Sequence, residues 1–328
     1  MCDRIPTTRV VVTAANGFIG SHLIDDLLNK GHKVRAIVRS EQAALKVSAS
    51  AGIFTIDNPH DADAWCAAVA GCDVVIHLIG LAHSAAKDVG GELQKFRDVN
   101  VGITECLLDA CRETDVRRLI YLSSIKAVGE GASESYTEAS ECLPENAYGL
   151  SKREAELLIL ERIQGASIEA SIVRSPVVYG PGVKGNMARM LKLVHSGLPL
   201  PIRCLKARRS MVYVRNLTDV LRCMVESRHP VEGIYHISDA EPPLATRDLF
   251  VELGRLMGKR VVEVPVPALV LRVIGRLVGM GEEVDRLTKS LTMQGARLTA
   301  ELGWAPPYSM QDGLAATVQW FVDCDAGI

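Results

Sequence analysis

The sequence predicts an α/β fold: a doubly wound parallel sheet with helices on both faces, joined to a smaller, mostly C-terminal lobe. Two observations predict it. Over the first 175 residues, short β-branched runs alternate with stretches of helical periodicity, as a parallel sheet built from crossover units requires. Beyond Arg174 the alternation weakens, and Pro and Gly crowd into Ser175–Gly185, Glu241–Pro243, Pro265–Pro267 and Pro306–Pro307, which suits loops and short helices. The larger unit is therefore expected over 1–175 plus about 211–238, and the lobe over 176–210 and about 239–328.

Strands are expected at Arg9–Thr13, Lys33–Val38, Ile53–Ile56, Asp73–Ile79, Arg118–Ser123 and Ile168–Val173, where Val and Ile concentrate. Gly233–Ser238 reads as one more buried strand returning to the sheet. Helices are expected at Ile19–Lys30, Asp61–Ala70, Gln94–Cys111 and Ala147–Gln164, from apolar residues recurring every three to four positions.

The chain of 328 residues is 48% apolar, ample for a buried core. Its formal charge of -2, with both signs mixed along the chain, gives no long-range field of the kind that collects nucleic acid. The nine cysteines are scattered without a C-x-x-C pair and are read as reduced thiols in a cytoplasmic protein, with no metal centre. Val10–Val12 runs straight into a Gly-rich turn, a strand pattern and not a leader peptide. The longest apolar stretch, Val261–Met280, is broken by Pro265, Pro267, Arg272 and Arg276. It is too interrupted to span a bilayer and reads as an amphipathic helix packed in the smaller lobe.

Between the first strand and the first helix lies Thr13-Ala14-Ala15-Asn16-Gly17-Phe18-Ile19-Gly20. A glycine at 17 lets backbone approach a pyrophosphate, one at 20 lets helix and strand pack closely, and the helix N-terminus offers free N–H groups to the anion. Thr13, Asn16, Gly17, Phe18, Ile19 and Gly20 are thus candidate dinucleotide-binding residues. A carboxylate about 20 residues on would grip the ribose of NAD, yet the second strand ends in Val38-Arg39-Ser40. Arg39 and the hydroxyl beside it suit a 2′-phosphate, which favours NADP over NAD; the alternative is a solvated strand-end charge. Asp57, after the third strand, could accept from the adenine amino group or be a plain loop residue.

Tyr148 and Lys152 stand at i and i+4 on one helix, so phenol and ammonium share a face. The cation is expected to lower the Tyr148 pKa toward the working range. The fifth strand ends in Ser123-Ser124, at the carboxyl edge where open α/β sheets place their ligands. Hydride transfer needs this set: a Ser to orient the carbonyl, a Tyr as acid or base, and a Lys to tune the Tyr and hold the cofactor ribose.

With these motifs in order, the sequence resembles the extended short-chain dehydrogenase/reductases, the NAD-dependent epimerase/dehydratase family. The likeness is also carried by Val75-Ile76-His77-Leu78, Asp98-Val99-Asn100, Ser123-Ser124-Ile125-Lys126, Arg174-Ser175-Pro176, Tyr179-Gly180-Pro181-Gly182 and Glu301-Leu302-Gly303-Trp304. It implies a Rossmann-type sheet, with Ser124, Tyr148 and Lys152 as the catalytic trio and Ser123 beside them on the cofactor. Asn100 would shape the site and its proton relay, unless it only bonds a local carbonyl. The substrate implied is a sugar linked to a nucleotide diphosphate: Asn186 resembles a diphosphate contact, Arg209 resembles the arginine that clamps it, and Arg286 is a third candidate. Arg209 could instead belong to a surface basic cluster with Arg203, Lys206 and Arg208.

Three departures from the family pattern stand out: Ala14 replaces the first glycine, tolerable if the backbone there is not left-handed; Arg215 stands where relatives often carry Asp; and Val128 replaces a frequent Tyr. Asp219 reads as a capping or pairing residue. The readings that follow are an NADP(H)-dependent reductase of a nucleotide-linked 4-keto-6-deoxy (N-acetyl)hexosamine, an NAD-dependent UDP-hexose 4-epimerase, and a cofactor sensor without activity. Ile125-Lys126 after Ser124 argues against the dehydratase branch. The resemblance also implies a homodimer through two long helices, Gln94–Cys111 and Ala147–Gln164.

Overall fold

A computed structural model describes residues 6–82, 89–131, 134–239 and 243–325; Cys2 and residues 241–242 of the Pro-rich stretch lie outside them. The strands are β1 (Arg9–Val12), β2 (Lys33–Val38), β3 (Gly52–Thr55), β4 (Val74–His77), β5 (Arg118–Ser124), β6 (Glu169–Ser175), β7 (Val177–Tyr179), β8 (Met211–Tyr213) and β9 (Gly233–His236). Seven of them form one sheet in the order β3-β2-β1-β4-β5-β6-β9, and every pairing is parallel. This is the Rossmann-type arrangement expected. Strand order reverses between β1 and β4, so the crevice outside their carboxyl ends is where such a sheet receives a ligand.

The alternation along each strand explains why both faces are covered. Val10 and Val12 point into one core with Leu23, Leu27 and Leu221, whereas Val11 points into the other with Trp65, Leu107 and Ile159. β7 and β8 pair separately. They lie beside a third core, in which Tyr179, Met187, Leu191, Tyr213 and Phe250 gather.

Two expected elements differ in shape. The strand expected over Asp73–Ile79 stops at His77, because the amides of Leu78 and Ile79 leave the ladder and donate to Thr13 Oγ1 at 2.9 and 3.2 Å. The helix expected from Gln94 begins at Val89 and carries a π turn at Asp98–Gly102 before continuing over Ile103–Arg112. Such a turn is a local insertion common at functional sites.

One expectation is met only on one face. The apolar stretch near the C-terminus does contain a helix, Ala268–Leu277, but it is not packed away inside the lobe. Leu269 is 71% exposed and Leu277 81%, since Ala268, Leu271, Arg272 and Gly275 are the side that faces inward. Among the described residues no helix is long and apolar enough to cross a membrane.

Candidate active site

The turn after β1 is built around one carbonyl. Ala14 O accepts from Gly17 N at 2.9 Å, and a Cβ at Gly20 would sit 2.4 Å from the same oxygen. Glycine at 20 is therefore what allows the Phe18–Asn29 helix to start against β1. That helix has no side-chain cap, so the first-turn amides of Phe18, Ile19 and Gly20 remain available to an anion. Asn16 is exposed at the tip, and the side chains of Phe18 and Ile19 lean on the core of the lobe. A dinucleotide pyrophosphate fits this cradle. Ala14 pays for it in strain: its φ of 50° is left-handed, so the condition under which alanine would be tolerated at no cost is not met.

The Thr13 side chain serves the scaffold of the turn. It is fully buried, and its hydroxyl accepts from Leu78 and Ile79 while lying 3.0 Å from His77 Nδ1. With both acceptor sites used, the hydroxyl proton goes to Nδ1. His77 Nε2 then donates to Thr104 Oγ1 at 3.0 Å, and Thr104 donates to Asn100 O at 2.7 Å. Burial pushes the His77 pKa down to about 3, which keeps the ring neutral as this chain of bonds requires.

At the end of the chain, Asn100 is buried in the π turn. Its Oδ1 accepts from Leu81 N at 2.7 Å, and its Nδ2 donates to Leu81 O and Ser151 Oγ at 3.1 and 2.9 Å. Both halves of the amide thus hold the backbone after β4. Gly80 beside it has Asn100 Oδ1 and the Lys152 ammonium 3.6 Å from where a Cβ would stand.

Ser124 ends β5 and caps the short turn at Ile125–Ala127, accepting from Lys126 N at 3.3 Å. Asn146 caps the Ala147–Arg162 helix through Gly149 N at 2.7 Å. Helix and turn touch backbone to backbone, because a Cβ on Gly149 would lie 2.3 Å from Lys126 O. This contact sets the half-buried Tyr148 beside Ser124, with Phe96 against its ring at 5.9 Å.

The electrostatics of the pair differ from the expectation. Burial raises the Tyr148 pKa above its ordinary value, and the hydrogen bond with Ser124 only partly offsets this. Lys152 does not lower it. Its ammonium turns to Leu122 O at 2.8 Å and lies 4.1 Å over the Tyr121 ring, and burial brings its own pKa down to about 7 against the pull of Glu156. At neutral pH the phenol carries its proton.

The Ser123 hydroxyl donates to Glu156 Oε1 at 2.6 Å in the interior. Glu156 is fully buried and is forked by Arg174 at 2.9 and 2.7 Å, with Arg153 at 3.1 Å. Sequence reasoning missed this network beneath Lys152. Its signal was Glu156 one helical turn past the lysine, opposite an arginine in a buried strand.

Arg39 and Asp57 are exposed at the ends of β2 and β3, and Asp57 accepts from Asn58 N. On the lobe side, Asn186 is half-buried in the Gly185–His195 helix. Burial lowers the Arg209 pKa, against the pull of Glu130 and with a smaller push from Arg286, and Arg209 Nε is buried without a hydrogen-bond partner. Asp219 pairs with Arg222 and accepts from Trp304 Nε1 at 2.9 Å, the bland role expected. Arg215 is exposed, and Val128 is buried with Ile125, Leu291 and Met293.

Sheet and cleft together define a nicotinamide-dinucleotide enzyme fold. The model of the NAD dependent epimerase/dehydratase family matches residues 10–238, and the chain belongs to that family. It is 30% identical to a UDP-glucose 4-epimerase of Vibrio cholerae, over 99% of both chains. It is 25% identical to a 4-hydroxy-2-methyl-3-oxo-4-farnesyl-3,4-dihydroquinoline-1-oxide ketoreductase of Stigmatella aurantiaca, over 95% of this chain and 96% of the other. The fold superposes with a TM-score of 0.78 on a UDP-glucuronic acid 4-epimerase from Bacillus cereus in complex with UDP-glucuronic acid and NAD, at 24% identity, covering 96% and 99% of the two chains.

Proposed function

We propose that the protein is an NADP(H)-dependent reductase of a nucleotide-linked 4-keto-6-deoxy (N-acetyl)hexosamine. The observation that carries this reading is the end of β2. Arg39 is exposed there and has no ion-pair partner among the described residues, at the position where a ribose-binding carboxylate would stand. The Ser40 hydroxyl is spent on Ala43 N, which leaves Arg39 to meet a 2′-phosphate. A 4-epimerase regenerates its own NAD in each cycle and gains nothing from a pool of NADPH.

When bound, the nicotinamide supplies the hydride that C4 receives. The chain's own groups do the rest. Ser124 hydrogen-bonds the C4 oxygen, and Tyr148 gives it a proton as charge develops there. A phenol kept protonated by burial is the state that reduction consumes. Lys152 holds the Leu122 carbonyl within β5 and Asn100 the backbone after β4, and Asn186, Arg209 and Arg286 take the diphosphate. The ketoreductase among the relatives supports this direction of chemistry. A second reading, NAD-dependent 4-epimerisation of a UDP-hexose, is favoured by the full-length match to the Vibrio cholerae epimerase.

In this reading two copies pair through the helical stretches Gln94–Cys111 and Ala147–Gln164, between which a groove is lined by Gln94, Arg97, Glu154 and the exposed Leu157.

Offering NADPH with a UDP-4-keto-6-deoxy-N-acetylhexosamine tests the assignment. Stoichiometric oxidation of NADPH is expected, and Arg39→Asp should shift preference toward NADH. NAD that copurifies with the protein, with no net oxidation, would favour the epimerase and overturn the reductase.

A further inference from the structure

The outward face of the Ala268–Leu277 helix is apolar over its full length: Leu269, Val270, Val273, Ile274 and Leu277 are all exposed. Their spacing puts them on one side. The opposite side is pinned. Ala268 and Leu271 join the core of the lobe, a Cβ on Gly275 would lie 2.6 Å from Val284, and Arg272 donates to Thr288 Oγ1 and O at 2.9 and 3.1 Å. With its inner face held this way, the helix cannot roll its apolar stripe into the protein.

The charge around the stripe indicates what covers it. The whole chain has a formal charge of -2, yet Lys259–Lys289 carries six basic residues against four acids, of which Glu263 is held by Arg247, Asp285 by Arg272 and Lys289, and Glu283 by Arg189. Arg276 lies along one edge of the stripe on the helical wheel, is exposed, and has no ion-pair partner among the described residues. At ten residues the helix is about 15 Å long, half of what crosses a bilayer. We infer that this face lies in the headgroup region of an anionic membrane, its aliphatic residues in the acyl boundary and Arg276 on a lipid phosphate. A second copy of the chain fits the face less well, since it would set like charges side by side. The helix packs on Gly281–Thr288, which carries Arg286, so docking sets the substrate lobe next to the bilayer while leaving the cofactor half free.

Flotation of the full chain with vesicles of phosphatidylcholine, with and without phosphatidylglycerol, tests this without cofactor or sugar, so its outcome is independent of the reductase assignment. Co-flotation with the phosphatidylglycerol vesicles is expected. Replacing Leu269→Ser together with Leu277→Ser should weaken it by more than about tenfold, and Arg276→Glu by at least about fivefold. All three exposed positions should leave the thermal midpoint and turnover unchanged. The inference is overturned if neither vesicle retains the protein, if the double variant still floats, or if the wild type forms a dimer that the double variant dissolves.

Discussion

Ala14 holds a left-handed backbone in the one turn where a dinucleotide phosphate would arrive, and the cost falls on folding stability. Replacing it with glycine removes a strain of about 1 kcal/mol, partly offset by the freer unfolded chain. Ala14→Gly should therefore raise the urea midpoint by the equivalent of about 0.5 kcal/mol at unchanged slope; a lower midpoint would show that the methyl group packs usefully. At this scale the sequence was only partly legible. Glycine at 20 could be read, because its reason is local. The fates of Thr13 and Ser123 could not, since each hydroxyl is claimed by a residue far along the chain, His77 in one case and Glu156 in the other. Spacing showed that Tyr148 and Lys152 share a helix face. It could not show that the ammonium would find a carbonyl and an aromatic face instead of the phenol.

The Ala147–Arg162 helix owes its position to Gly149, whose missing side chain admits the Lys126 carbonyl. Gly149→Ala should push the helix from the Ser124 turn and lower kcat by about 100-fold, the usual result of displacing a reacting group by an ångström, with a smaller effect on cofactor affinity. An unchanged kcat would mean that the turn yields instead and that Tyr148 is not placed by this contact. Elements with strong period and β-branched content were read nearly to their ends, as with Lys33–Val38. The π turn at Asn100 escaped because a one-residue insertion leaves no mark on hydrophobic spacing. The Ala268–Leu277 helix was recognised as apolar, but periodicity cannot tell which of two apolar faces meets the protein.

Across the whole molecule, the sheet order brings together groups far apart in the first half of the chain: the turn after β1, Gly80 after β4, Ser124 at the end of β5, and the Tyr148 helix. Beneath them Glu156 and Arg174 form a buried pair that ties the Lys152 helix to β6, a costly arrangement that persists only when every oxygen and N–H is matched. The topology was legible because parallel sheets follow few connection rules; the buried pair was not, because it joins elements through their side chains alone. The account stands on Tyr148 as the acid. The most direct measurement compares Tyr148→Phe with the wild type for NADPH oxidation on the 4-keto sugar nucleotide and for NADPH binding. The account predicts turnover reduced by more than about 100-fold, with the cofactor dissociation constant nearly unchanged. Turnover at the wild-type rate would contradict it, because the proton would then come from another group.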